Sequence, residues 1–196
     1  MNEIKPIQTE YNGYRFRSRL EARWAVFFDA MGIKYEYEPE GFVLPSGKQY
    51  LPDFKVKCWG KRGEIDDEPF DLYIEVKGDM NEHDENKIRE FAGSPFDENG
   101  LYNEQLKDKM HPVLVVGPIT SDLSKEWYMD NGVFYNYSTI DGDDFGAFPC
   151  ASDGKMFLWG AEGSYVWNSG KVEYALDIAR KARFEFGETP VVPHGR

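Results

Sequence analysis

The sequence predicts an α/β fold in which a central mixed sheet is flanked by helices, and three observations predict it. Apolar spacing switches along the chain between helical and strand period, the elements follow in the order helix, three strands, helix, strand, and Gly or Pro punctuates them. With 196 residues, 41% of them hydrophobic and 16% aromatic, the chain has material for a core of its own, which excludes global disorder.

The first element is a helix over residues 18–31. Ser18 is a candidate N-cap with Glu21 three residues on, nine of the twelve positions from 20 to 31 are apolar, and Gly32 closes the run. A helix this apolar is buried on most sides. Residues 33–38 alternate with strand period until Pro39 stops them, and after a turn at Pro45-Ser46-Gly47 a second strand is expected over 49–57. The third covers 72–77 and ends at Gly78; residues 58–71 between them read as a polar loop. A polar helix over 82–91, a resumption of helix over 102–109 and a buried strand over 113–116, bounded by Pro112 and Gly117, complete the core. Beyond it come a strand at 133–137, a Gly/Asp loop at 138–155, a strand near 156–159, and a last helix over 171–186 capped by Gly187. Residues 1–120 therefore read as the core, and 121–196 as a C-terminal strand and helix extension packed on it.

Charge and motif content exclude several classes of function. The formal net charge of −12 is uneven: residues 1–62 carry 11 Lys+Arg against 8 Asp+Glu, a net of +3, and residues 63–196 carry 12 against 27, a net of −15. Long-range repulsion excludes a general binder of phosphate backbones, so any nucleic-acid contact must be local. Cys58 and Cys150 form no CxxC pair, which supports neither a disulfide framework nor a cysteine zinc site and favours a reduced compartment. The N-terminus lacks the sections of a signal peptide and no apolar run approaches the roughly 20 residues that span a bilayer, so the expectation is a cytoplasmic protein without a membrane segment. No GxxxxGK[ST] loop is present for ATP hydrolysis. His83, His111 and His194 lack metal-ligand spacing and read as surface or loop residues. Counting from Asp141, position 12 of a calcium loop is Ser152 rather than the required Glu.

Four residues could carry chemistry. Strand alternation sets Leu72, Ile74 and Val76 on one face and Glu75 and Lys77 on the other, the last two about 7 Å apart. On a solvated face such a pair is an ordinary surface ion pair that contributes little. Asp53 follows Pro52 in the middle of YLPDFKV, where proline marks an edge, a bulge or a strand start. Glu21 lies about 200° around the helix from Arg23 and points inward if Arg23 faces solvent, although Ser18-x-x-Glu21 is also a capping box. Taken together, an inward carboxylate, an acid after proline and an acid-x-lysine pair match what metal-assisted phosphodiester hydrolysis needs. Mg2+ binds through a few carboxylates plus substrate phosphate, and a neighbouring lysine orients water and offsets charge on the phosphorus oxygens.

The strings FRSRLEARWAVFF (from Phe16), YLPDF (from Tyr50) and LYIEVKG (from Leu72) resemble the helix glutamate, PD and (D/E)xK elements of the PD-(D/E)XK nuclease superfamily, in its order of elements, across residues 13–117. The nearest flavour is the branch of Holliday-junction resolvases, transposase endonuclease subunits and small phage-encoded proteins. The resemblance implies a nuclease core and a DNA endonuclease that uses Mg2+ or Mn2+, acts on branched or otherwise structured DNA, and leaves 5'-phosphate and 3'-hydroxyl ends. Asp53 and Glu75 would hold the metal with the backbone carbonyl of Val76, Glu21 would complete the site or hold a second metal, and Lys77 would serve the water and the transition state. It also implies a homodimer, as resolvases tend to be, although no self-complementary surface is legible. Arg15, Arg17, Arg19, Lys48, Lys55, Lys57, Lys61 and Arg62 surround these motifs and are the expected nucleic-acid contacts, with Arg180, Lys181 and Arg183 extending the track. The rival expectation is a non-catalytic nuclease scaffold whose acidic remainder docks a protein partner or mimics DNA charge.

Overall fold

The computed structural model describes residues 7–59, 68–94, 99–101, 103–107, 109–119, 134–136, 139–140, 143–144, 147–150, 154–158, 169–185 and 188–192. Its fold is mixed α/β. The first described elements form a hairpin that the sequence reading did not anticipate. Asn12 and Gly13 both take positive φ (48° and 82°), as a tight two-residue hairpin turn requires, and join β1 (Thr9–Tyr11) to the antiparallel β2 (Tyr14–Phe16). Helix α1 (Arg19–Met31) follows, capped by Ser18 and closed by Gly32 at φ 77°, whose N–H donates to the Asp29 carbonyl while that of Ile33 donates to Phe28. Eight of its residues are buried, Glu21 among them.

After β3 (Tyr35–Tyr37), the second strand of the sequence reading divides in two. A short hairpin of β4 (Phe42–Val43) and β5 (Gln49–Tyr50) ends at Tyr50, and β6 (Phe54–Trp59) begins after Asp53. Pro52 has no N–H to give a ladder, which accounts for the break. The third strand, β7 (Phe70–Val76), leaves Lys77 just beyond its end. Next come α2 (Glu82–Ala92), the short α3 (Glu104–Lys107) and β8 (Val113–Val116). The later segment supplies β9 (Phe134–Asn136), a hairpin of β10 (Thr139–Ile140) and β11 (Asp143–Asp144), β12 (Ala147–Cys150), β13 (Lys155–Leu158) and α4 (Ser169–Lys181). The expected loop at 138–155 thus contains three strands. The last helix ends at Lys181 rather than at residue 186, and Gly187, its expected cap, lies outside the described residues.

Among the described residues, seven strands form the main sheet in the order β12-β13-β6-β7-β8-β9, with β3 sharing one edge of β6 with β13. β3 takes Phe54 to Val56 and β13 takes Cys58 and Trp59. The pairs β6/β13 and β7/β8 are parallel and the others antiparallel, so the sheet is mixed; α2 lies in the crossover between β7 and β8. Helices cover both faces. On one, α1 and α4 pack over Phe54, Val56, Leu72, Ile74, Val76, Leu114 and Val116. On the other, Ile88, Phe91 and Ala92 of α2 pack with Tyr50, Tyr73, Val113 and Val115. The face of β7 that carries Tyr73 and Glu75 is therefore not the solvated surface that the alternation allowed, and every residue from Leu72 to Val76 is buried. His111 also joins this second cluster, its ring stacked on Phe91 with centroids 4.6 Å apart. Among the described residues no helix is long and apolar enough to cross a membrane.

Candidate active site

Three chain segments meet where α1 begins, β6 begins and β7 ends. At the first, the N-cap half of the capping box forms, the Ser18 hydroxyl accepting the Glu21 N–H at 3.1 Å, while the Glu21 carboxylate turns back to that hydroxyl, which donates to Oε1 at 2.7 Å. Glu21 Oε2 accepts the Arg17 backbone N–H at 3.0 Å and the Tyr37 hydroxyl at 2.7 Å. At the second, the break after Pro52 turns Asp53 inward. Its Oδ2 accepts the Val76 N–H at 2.7 Å and its Oδ1 takes the Arg17 guanidinium at 2.6 Å. Since Phe54 pairs with Ile74, one further step of the antiparallel register sets Asp53 against Glu75. At the third, Glu75 accepts the Tyr50 hydroxyl at 2.8 Å on Oε2 and meets Lys77 Nζ at 2.9 Å on Oε1. Lys77 also lies 3.6 Å from Asp84 in the first turn of α2. Glu21, Arg17, Asp53, Val76, Glu75 and Lys77 thus form one continuous chain of contacts.

All three carboxylates are buried, with relative exposures of 7% for Glu21, 4% for Asp53 and 6% for Glu75. Burial is the largest influence on Asp53 and pushes its pKa well above the ordinary carboxylate value; Glu75 and then Glu21 push the same way, against the Val76 N–H and Arg17. Burial pulls Lys77 down, but Glu75, Asp84 and Asp53 outweigh it and hold the amine above its usual value, so it is an ammonium at neutral pH. Arg17 is treated alike: burial opposes its charge, while Asp53, Tyr37, Glu38 and Glu21 favour it. Burial and then Glu75 raise Tyr50 far above an ordinary phenol, and burial and then Glu21 raise Tyr37, so both hydroxyls stay protonated donors. A further cation is the natural complement of this excess of buried negative charge.

The donor set is all oxygen, as a hard divalent cation requires, and Asp53 with Glu75 fits the one or two carboxylates through which Mg2+ is usually held. Among the described residues no group of three or more His, Cys, Asp or Glu side chains is arranged as a metal cage. Glu21 is the member set apart, since its carboxylate bonds the Ser18 hydroxyl, the Arg17 N–H and the Tyr37 hydroxyl and is linked to Asp53 only through Arg17. For Val76, it is the N–H that the structure shows engaged, on Asp53. Sequence reasoning missed Tyr37, Tyr50, Glu38 and Asp84. Only the strand alternation of Tyr35 and Tyr37 carried a signal for any of them, because their partners come from distant segments.

The expected nucleic-acid contacts are mostly paired with acids. Arg19 meets Glu185 at 2.8 Å, Lys55 meets Glu36 at 3.1 Å and Lys57 meets Asp71 at 2.6 Å, while Arg17 serves Asp53 and Glu38. Arg15 donates to Gln8, and Lys48 is exposed on the turn between β4 and β5. Arg180 and Lys181 both pair with Asp177, and Arg183 is exposed beyond α4. Lys61 and Arg62 lie outside the described residues. The pairs of Arg19 and Lys57 are exposed on both sides, and such pairs are worth about 0–1 kcal/mol, so a phosphate can compete for these two cations. Comparison with family models, with curated proteins and with solved structures found no match for the chain.

Proposed function

We propose that the protein is a divalent-metal-dependent DNA endonuclease of the PD-(D/E)XK type, acting on branched or otherwise structured DNA. The observation that carries this reading is the meeting of Asp53, Glu75 and Lys77, from two strands and the end of one of them, in a buried site whose carboxylates crowd one another. Asp53 and Glu75 would hold Mg2+ or Mn2+. A metal bound there supplies Lewis-acid charge at a scissile phosphate and makes water a better nucleophile at neutral pH. Lys77 stays charged, so its part is to orient water and balance charge on phosphate oxygens rather than to abstract a proton. Tyr50 fixes the direction of Glu75, and Glu21 fixes the start of α1 and the backbone of Arg17.

The test is a panel of linear, nicked, flapped and four-way DNA, each incubated with and without Mg2+ or Mn2+. Metal-dependent cleavage is expected, with at least one branched substrate preferred. Glu75→Gln keeps an acceptor for Tyr50 and Lys77→Met keeps the length of the side chain, and each is expected to lower the rate at least about a hundredfold, the scale of losing one preorganised charge contact. Equal cleavage by wild type and both variants sinks the assignment.

A second reading is favoured by one observation, that every oxygen of Glu21, Asp53 and Glu75 already has a partner within the chain. On that reading the scaffold is a binding module and the −15 excess after residue 62 is the docking surface for a protein partner. Lack of any metal binding by calorimetry, with a partner recovered on the wild-type protein and lost on neutralising that acidic surface, supports it over the first.

A further inference from the structure

Asp53 has two carboxylate oxygens, and the backbone of β7 has claimed one of them. Oδ2 accepts the Val76 N–H, so Oδ1 is the oxygen left for a cation, and the Arg17 guanidinium sits on it at 2.6 Å. Arg17 is held in two places: Nη2 on Asp53, and Nε on Glu38 at 2.8 Å. The two partners differ in burial, since the Asp53 side chain is 6% exposed and that of Glu38 32%, while the arginine itself is 51% exposed. Its inner end therefore plugs a buried acid while its body lies in solvent.

Glu38 makes this arrangement notable. It adopts φ 46°, a left-handed conformation unusual for a residue other than Gly, Asn or Asp, and its N–H donates to the Asp53 carbonyl at 2.9 Å. Such a conformation is strained and persists only where the surroundings dictate it. Here it brings a second carboxylate to the outer side of the guanidinium. A rotation about the bond to Glu38 can lift Nη2 from Asp53 without releasing the arginine into bulk solvent.

We propose that Arg17 is a resident stand-in for the divalent cation: the guanidinium and the metal compete for Asp53 Oδ1, and a nucleic-acid phosphate that draws Arg17 outward opens that oxygen. This rests on the nuclease reading above. Metal and substrate would then bind with positive coupling through one side chain, and by linkage each tightens the other. Arg17 is a positioning residue in this scheme, and its backbone N–H, not its side chain, serves Glu21, so replacing the side chain leaves the cap of α1 intact.

The experiment titrates Mn2+ into the full chain by calorimetry, comparing wild type with Arg17→Ala and with Arg15→Ala, which removes the same charge two residues away from a side chain bonded to Gln8. Arg17→Ala is expected to bind Mn2+ about tenfold more tightly than wild type, equivalent to about 1.4 kcal/mol, and Arg15→Ala to bind as wild type does. Adding an uncleavable phosphorothioate duplex is expected to tighten Mn2+ binding by wild type and not by Arg17→Ala. Wild type and Arg17→Ala binding Mn2+ equally overturns the stand-in role while leaving the nuclease reading in place, as does an equal gain in Arg15→Ala, which would mark a field effect. Failure of all three proteins to bind Mn2+ overturns both. A wild-type affinity indifferent to the duplex overturns the release by phosphate. If Arg17→Ala does not fold, Arg17→Gln is titrated in its place with the same expectations.

Discussion

Asp53 is buried beside two other acids, an arrangement that works against folding. Burial, Glu75 and Glu21 raise its pKa, so the folded chain binds this proton more tightly than the unfolded chain does. The linked stability is complete below the ordinary carboxylate value of 3.8 and is lost as the pH climbs through the raised value. Asp53→Asn mimics the neutral form, and its carbonyl can still accept the Val76 N–H. In a chelating buffer at pH 7 the variant should melt a few degrees above wild type, the scale on which about 1 kcal/mol moves a chain of this size, with the gap closing toward pH 4. A gap independent of pH would show that the charge of Asp53 is not what opposes the fold. At this scale part was legible beforehand: the Ser18–Glu21 cap followed from its spacing, whereas the burial of Glu21 was expected only if Arg23 faced solvent, and Arg23 is itself half-buried. What could not be read was the company these residues keep. Tyr50, Tyr37 and Glu38 reach the site through packing and an unusual φ, for which linear spacing has no signature.

Between elements, the closest backbone approach around a glycine among the described residues joins the end of α1 to the start of β13. A Cβ placed on Gly154 would collide with the Gly32 carbonyl oxygen, and Gly154 also takes φ 67°. Gly154→Ala therefore meets both left-handed strain and a backbone clash that no side-chain rotation relieves. It should lower stability by about 2 kcal/mol or more, measured as a shift in the urea midpoint. Alanine at Gly47, which has φ 80° and open space around its Cβ, should lose only the conformational part. Equal losses at the two positions would mean that the contact between α1 and the turn before β13 is loose. The elements themselves were legible where periodicity was long: α1, α2 and β8 fall within a residue or so of the expected bounds. The short ones were not. Asn12-Gly13 and Asp141-Gly142 are both strong hairpin signals, yet the strands they join are two or three residues long, too short for alternation to show.

At the scale of the whole molecule, the C-terminal segment expected to pack on the core also supplies strands to the main sheet and side chains to the main buried cluster. β13 lies in parallel against the second half of β6, β9 lines the far side of β8, and α4 packs along α1. Met156, Val172, Ala175, Leu176, Ala179 and Ala182 all belong to the same buried cluster as Trp24, Phe28, Phe54 and Ile74. Burying Met156, Val172 and Leu176 alone contributes roughly 5–9 kcal/mol at about 1.5–3 kcal/mol each, before counting the surface of α1 that would be bared. That is comparable to the entire stability of an ordinary domain, about 5–15 kcal/mol. A chain cut after residue 120 should therefore fail to fold cooperatively, with a broad thermal transition by circular dichroism, poorly dispersed amide signals, and no metal-dependent cleavage even though Glu21, Asp53, Glu75 and Lys77 are all retained. A sharp transition in the truncated chain would mean that the later segment only covers a core already complete. The site depends on this scale as well: α1 carries Glu21 and follows directly on Arg17, and α1 is held to the sheet through α4 and through the Trp24 indole N–H, which donates to the Gly117 carbonyl at 3.0 Å. Loss of α4 would loosen the helix that places Arg17 on Asp53, so the acidic centre and the C-terminal elements should be lost together.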